Sequence, residues 1–167
     1  MATTYEIIDK ATVGSGGTAS VSFTSIPGTY TDLKVVASYR GSTAQVYEVS
    51  FLRFNGVSTN LTHRSLEGDG SSASSNNNPF IYFGAGNGAT STSSTFSNIE
   101  AYIPNYGSSN QKFVSIDSVG ENNATLAYIQ LTAGIWADTA AITSVQIVAT
   151  ATFVEHSTFY LYGIKNS

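Results

Sequence analysis

The residues able to do chemistry in this chain are few, and their spacing limits what they can do. Two histidines, His63 and His156, are the side chains suited to act as a general base near neutral pH. His63 lies two residues before Ser65 and His156 immediately before Ser157. Neither sits in a Gly-x-Ser-x-Gly elbow, the strained turn that presents a nucleophilic serine to its base. In a chain rich in Ser, such neighbours carry little weight. The two histidines are too far apart in sequence to form a His-x-x-x-His zinc pair, and there is no cysteine to supply thiolate or disulfide. The close carboxylate pairs, Glu67 with Asp69 and Asp117 with Glu121, show no sign of the opposed placement that glycoside hydrolysis needs. Glu67 and Asp69 lack the dense acidic spacing of a calcium loop and are expected to be solvated loop acids.

Gly84-Ala-Gly-Asn-Gly88 resembles a phosphate loop only in its glycines, because no lysine and no helix follow it. It is expected to be a plain loop. Asn60-Leu-Thr62 and Asn123-Ala-Thr125 match the glycosylation sequon, but Met1 to Asp9 lacks the basic region and apolar core of a signal peptide, so they are expected to be chance matches. No catalytic residue, metal ligand or cofactor is therefore expected.

Aromatic side chains are the remaining resource: ten Tyr, nine Phe and the single Trp136. In the segment from Thr158 to Ile164, Phe159 and Leu161 fall on one side of a strand and Tyr160, Tyr162 and Ile164 on the other. A sandwich strand buries one side in its own core. Tyr160, Tyr162 and Ile164 are thus the candidate interface, with burial under the domain's own loops as the alternative.

The elements that must position these residues have a period of two. Ala19, Val21 and Phe23 alternate with serine and threonine, as do Leu33, Val35, Ala37 and Tyr39 with Lys34, Ser38 and Arg40. Val145, Ile147, Ala149, Ala151 and Phe153 repeat the pattern. Further strands are expected at Tyr5–Asp9, Tyr47–Phe54, Asn60–Leu66, Pro79–Phe83, Ser97–Ile103, Lys112–Val119, Thr125–Ala133 and Thr158–Ile164. Asn55-Gly56 supplies the positive φ of a tight hairpin, and residues Glu121 to Ala124 are expected to close another. Trp136 to Ile142 has room for one helical turn at most. Gly68 to Asn78 and Gly84 to Ser94 read as long, exposed loops at one edge. The sum is one all-β domain over residues 1–167, an antiparallel, jelly-roll-like β-sandwich of about ten strands.

Composition narrows the partners. Of the 167 residues, 41% are hydrophobic and only 11% charged, with a net charge of −4. Phosphate binding needs clustered cations, and seven scattered Lys and Arg do not provide them, so nucleic acid is not an expected partner. No apolar run is long enough to span a bilayer as a helix, and no membrane partner is expected. A surface of hydroxyls and amides suits close contact between subunits, since few charges need be desolvated.

Four segments carry a resemblance: Ser25-Ile-Pro-Gly-Thr-Tyr-Thr-Asp-Leu33, Leu52-Arg-Phe-Asn-Gly56, Ile103-Pro-Asn-Tyr106 with Lys112 following, and Ser157-Thr-Phe-Tyr-Leu-Tyr-Gly-Ile-Lys165, joined by Ala141 to Ser144. Together they resemble small virion structural proteins of tailed bacteriophages. The resemblance implies a β-sandwich without catalysis, located on the virion after assembly in the host cytoplasm. It implies as partners further copies of the chain, in a homo-oligomer expected to be a trimer, and the major capsid protein or other virion proteins. Within that group a capsid decoration (cement) protein that stabilises the head is favoured, because no fibrous shaft repeat is present. The alternatives are a tail or head fibre domain binding host-surface glycans, or a free carbohydrate-binding module.

Overall fold

The computed structural model describes residues 4–122 and 127–165, and among these there are twelve strands and no helix. The strands are β1 (Tyr5–Thr12), β2 (Thr18–Phe23), β3 (Asp32–Tyr39), β4 (Tyr47–Phe54), β5 (Leu61–Gly68), β6 (Ala73–Asn78), β7 (Ile81–Asn87), β8 (Ser97–Ile103), β9 (Lys112–Gly120), β10 (Tyr128–Trp136), β11 (Val145–Phe153) and β12 (Thr158–Ile164). They form two antiparallel sheets. The large one runs β1-β12-β3-β8-β9-β10-β5-β6 and the small one β2-β11-β4-β7. Antiparallel sheets packed on one face only explain the alternation of apolar and polar residues along most strands.

The order has a simple logic. Counting β2 to β7, the β8–β10 meander and β11 as eight successive positions, the small sheet reads 1-8-3-6 and the large one 2-7-4-5. That is jelly-roll connectivity, with position seven widened from one strand to three and with β12 and β1 added beyond β3. Widening and the two added strands give the large sheet twice the strands of the small one, so part of its inner surface lies beyond the small sheet's rim.

The core lies between the sheets. Leu33, Val35, Ala37 and Tyr39 of β3, Ile99 and Ala101 of β8, and Phe159 and Leu161 of β12 face Leu52, Phe54, Ile81, Phe83, Val145 and Ile147 from the small sheet. Tyr39 is at its centre, with Phe153 against its edge at 5.0 Å and its hydroxyl bonded to Ser50 at 2.9 Å and to the Gly84 carbonyl at 3.0 Å. Its ring occupies the place of a side chain at Gly86, where a Cβ would come within 2.1 Å of it.

Several local expectations change. Asn55 (φ 51°) and Gly56 (φ 72°) adopt the expected positive φ, but the strands they join lie in different sheets, so no hairpin forms. The Gly68–Asn78 segment is not a long loop: a tight turn leads into β6, an exposed edge strand paired with β5 from Gly68↔Ala73 to His63↔Asn78. Asp69 makes that turn, accepting from the Ser71 and Ser72 amides at 2.8 and 2.7 Å. Gly84 to Asn87 belong to β7 and are buried, because small residues there let β7 approach β4, Tyr39 and Ser118. The rest of that stretch is held by Arg40, whose guanidinium donates to the carbonyls of Ala89, Ser91, Thr92 and Thr95 at 2.8–3.2 Å. Residues 137–144, after Trp136, contain no helical turn. β9 and β10 are paired neighbours, from Gly120↔Tyr128 onward. Their expected turn at Glu121–Ala124, the start of the expected Thr125 strand and the Asn123 sequon reach outside the described residues.

Candidate functional site

The structure gives the members of each candidate nucleophile–base pair other partners. His63 is buried on the inward side of β5, and its Nδ1–H donates to the Phe80 carbonyl at 2.6 Å. Its ring lies against Tyr82 at 4.5 Å between centroids. Ser65, next on the same side, donates instead to Glu67 at 2.9 Å. His156 is an exposed turn residue at φ 72°, while the buried Ser157 hydroxyl faces the Arg40 backbone. Asp117 points outward from β9 and Glu121 follows the end of that strand. Among the described residues, no three His, Asp or Glu side chains form a group able to hold a metal.

Glu67 is a buried carboxylate, 9% exposed, and not the solvated acid its glycine-rich surroundings imply. Four neutral donors surround it: Gln130 at 2.7 Å, Ser65 and Asn76 at 2.9 Å and the Tyr128 hydroxyl at 3.0 Å. Burial alone would raise its pKa, but hydrogen bonds from Asn76, Ser65, Tyr128 and Gln130 outweigh it and hold the group below the ordinary carboxylate value. Burial and the same carboxylate push Tyr128 upward. Tyr128 also stacks on Tyr47 at 4.8 Å, closing the cluster on the small-sheet side. The cluster fills the inner surface of β5, β6 and β10 where apolar core gives out. It ties the edge strand, through Asn76, to the body of the sheet.

The segments that carry the sequence resemblance meet in space, tying the two sheets together. Tyr106, 1% exposed, donates its hydroxyl to the Pro27 carbonyl. Asp32 accepts from the Asn105 amide at 2.8 Å and from the Tyr102 hydroxyl at 2.7 Å, and that bond with burial pushes Tyr102 up to about 12. Asn55 accepts from the amides of Thr143 and Ser144 and donates to the Ala141 carbonyl at 2.9 Å. Lys112, 1% exposed, extends its Nζ to the carbonyls of Ser108 and Asn110, and burial lowers its pKa. Gly163 leaves room for the Tyr30 ring, over which the Lys165 ammonium sits 5.3 Å from the centroid. These are latches of the fold rather than a reactive constellation.

The outer face of the large sheet is where side chains are left without cover. On β12, Phe159 and Leu161 are fully buried while Tyr160 and Tyr162 are half-buried on the outer side, stacked at 6.4 Å. Ile164 is only 5% exposed. Tyr162 is paired with Ile7 of β1, and Ile7 and Tyr5 are each just over half exposed, so these residues form one apolar patch.

A second and larger patch lies on β5, β9 and β10. Strand β10 is built inside out: Gln130 and Thr132 point inward and are buried, while Ile129 and Leu131 point to solvent at 56% and 57% exposure. Val119 and Phe113 on β9 and Leu66 on β5 flank them, all exposed. Leu131, Ala133 and Leu66 floor a shallow groove with Arg64 on one side and Asp117 on the other. Asp117 lies directly opposite Glu100 of β8, and Glu100 is bonded to Lys34 at 2.6 Å. Arg64 and Asp117 have no oppositely charged partner within bridging distance among the described residues. This second patch is absent from the sequence expectation. Its signal was the run of alternate apolar residues in β10, whose direction hydropathy does not fix.

Fold and surface together define the class: an all-β, two-sheet sandwich whose large sheet carries two uncovered apolar patches. Compared with known proteins, the chain matches no family model, no curated protein and no solved structure.

Proposed function

We propose that this chain is a non-enzymatic structural component of a tailed-bacteriophage virion, a capsid decoration protein that adds stability to the head. The observation that carries the reading is the pair of apolar patches on one face of the large sheet, Tyr5, Ile7, Tyr160 and Tyr162 in one and Leu66, Phe113, Val119, Ile129 and Leu131 in the other. Between them runs a charged band of Lys34, Glu100 and Asp117. Two separate patches suit a subunit that meets two neighbours in an assembly. The tyrosine patch serves attachment to the shell: stacked tyrosines offer large contact area at low entropic cost, with hydroxyls free for the partner's polar groups.

Immunogold labelling of purified virions whose genome encodes the chain tests the reading, with label expected over the head. Label on the tail would replace it by a fibre role, and particles free of the chain would overturn it. Tyr160→Ser with Tyr162→Ser is expected to abolish attachment to heads while leaving the β-sheet circular dichroism of the free protein unchanged.

A further inference from the structure

We infer that the β5–β9–β10 patch is the surface on which a second copy of this chain docks, in an isologous two-fold contact that pairs Arg64 with the partner subunit's Asp117. The inference rests on the assembly reading above and goes beyond it by assigning one patch, one partner and one pair of charges.

The starting point is the inversion of β10. Turning Ile129 and Leu131 to water while burying Gln130 and Thr132 is unfavourable for a solitary chain, because apolar area stays hydrated and polar groups lose water. The Thr132 hydroxyl is buried without a hydrogen-bond partner among the described residues, so the inner arrangement is not fully compensated from within. A covering surface that removes Leu131, Ile129, Val119, Phe113 and Leu66 from water gives the strand a favourable outer side.

The charges then select the cover. Arg64 and Asp117 flank the apolar floor on opposite sides, on β5 and β9 with β10 between them. Arg64 is exposed, and its guanidinium is bonded only weakly, to the His63 carbonyl at 3.3 Å. Asp117 sits directly across from Glu100, a like-charge pairing that a β-sheet disfavours and that Lys34, bonded to Glu100 and beyond bridging distance of Asp117, offsets only in part. Each charge thus lacks a bridging partner of opposite sign among the described residues, yet β10 lies between them within one chain. A two-fold axis lying in the face, over β10 and at right angles to the line from Arg64 to Asp117, removes the conflict. It sets Arg64 over the partner's Asp117, repeats the pair in reverse, and closes the apolar floor on itself. An isologous contact must be complementary to itself, and this patch is, in both charge and polarity. A two-fold pair is a different stoichiometry from the trimer that the resemblance implies.

Charge reversal tests the contact. Sedimentation velocity of the purified protein at micromolar concentration should show a dimer. Arg64→Asp should sediment as a monomer, and so should Asp117→Arg, because each places like charges together twice. Mixing the two variants should restore the dimer, since every contact in the mixed pair is again between opposite charges. Leu131→Asp should be monomeric alone and in either mixture. All these side chains are exposed, and unchanged circular dichroism and melting of each variant check that folding is intact. A wild-type monomer or trimer, an Arg64→Asp dimer, or a mixture that stays monomeric would overturn the inference. The assembly reading fails separately: a wild-type dimer found on no virion refutes the reading and keeps the contact, while a monomer that still decorates heads does the reverse.

Discussion

Replacing Glu67 by glutamine keeps the volume of a buried side chain and changes only what its end can accept. In the native chain both oxygens are occupied, one by Ser65 and Gln130 and the other by Asn76 and Tyr128. An amide keeps one oxygen and presents N–H groups where the second stood. Two donors then face a donor. The Tyr128 hydroxyl can rotate to accept, and the exposed Asn76 amide must flip to offer its oxygen. Hydrogen bonds to a charged group contribute about 1.5–3 kcal/mol each, and a buried donor left unsatisfied costs about 1–3 kcal/mol. Exchanging these charged hydrogen bonds for neutral ones, about 0.5–1.5 kcal/mol each, should cost about 2–4 kcal/mol at neutral pH.

The effect depends on pH with a fixed sign. The folded-state pKa of Glu67 is below its unfolded value, so its stabilisation is complete above the unfolded pKa and is lost as pH falls toward and through the folded one. Urea unfolding of both proteins from pH 7 down to pH 3 should therefore show a gap that is largest at neutral pH and narrows in acid. Hydrogen exchange should speed up first in Ala73–Asn78, the strand that Asn76 tethers. Equal stability at pH 7, or a gap that does not change with pH, would refute the argument that neutral donors hold a charged Glu67.

Three further substitutions probe the latches. Arg40→Met removes the donors that hold residues 89–95, and should cost about 2 kcal/mol or more in chemical denaturation, with faster exchange confined to that loop. Gly86→Ala drives a Cβ into the Tyr39 ring and should cost about 1–3 kcal/mol with a lowered melting temperature, whereas Gly56→Ala meets no neighbour and acts only through its positive φ. Asn55→Ala releases residues 141–144 from the small sheet and should cost about 1–3 kcal/mol, read by the same denaturation assay, while Asn55→Asp keeps the acceptor and should lose less.

What was legible in the sequence is what local pattern controls. β3 and β8 alternate because one side of each meets core and the other water, and β11 does so as far as Ala149, beyond which its register shifts and Ala151, expected inward, is exposed; the limits of all three fall close to those expected. Tyr160 and Tyr162 were separable from Phe159 and Leu161 for the same reason. Illegible were features fixed by distant residues. Asn55-Gly56 has hairpin conformation, but its partners are Ala141–Ser144, more than eighty residues away. Glu67 is buried by Tyr128 and Gln130, more than sixty residues distant, although its own neighbours are glycine and aspartate. The serine- and glycine-rich stretch after Gly84 looks loose in the sequence because Arg40, which pins it, lies about fifty residues upstream. In β10 the period of two was plain, while its polarity was set by the Glu67 cluster on one side and left open on the other.

The placing of β11 between β2 and β4 has a consequence for how the chain is made. Its register joins Val145 to both Phe23 and Phe54, so the small sheet has no continuous centre until residues near the end of the chain arrive. β1 waits longer still, since its neighbour in the sheet is β12. On a ribosome, β2 and β4 therefore emerge and remain unjoined while about ninety further residues are translated, several seconds at ordinary elongation rates. Pairings this distant in sequence also make folding slow once the chain is free. Exposed strands in that interval invite association with other nascent chains. The hydroxyl-rich β2, with Ser20 and Ser22 alternating with Val21 and Phe23, presents a half-polar ribbon during the delay and not a continuous apolar one.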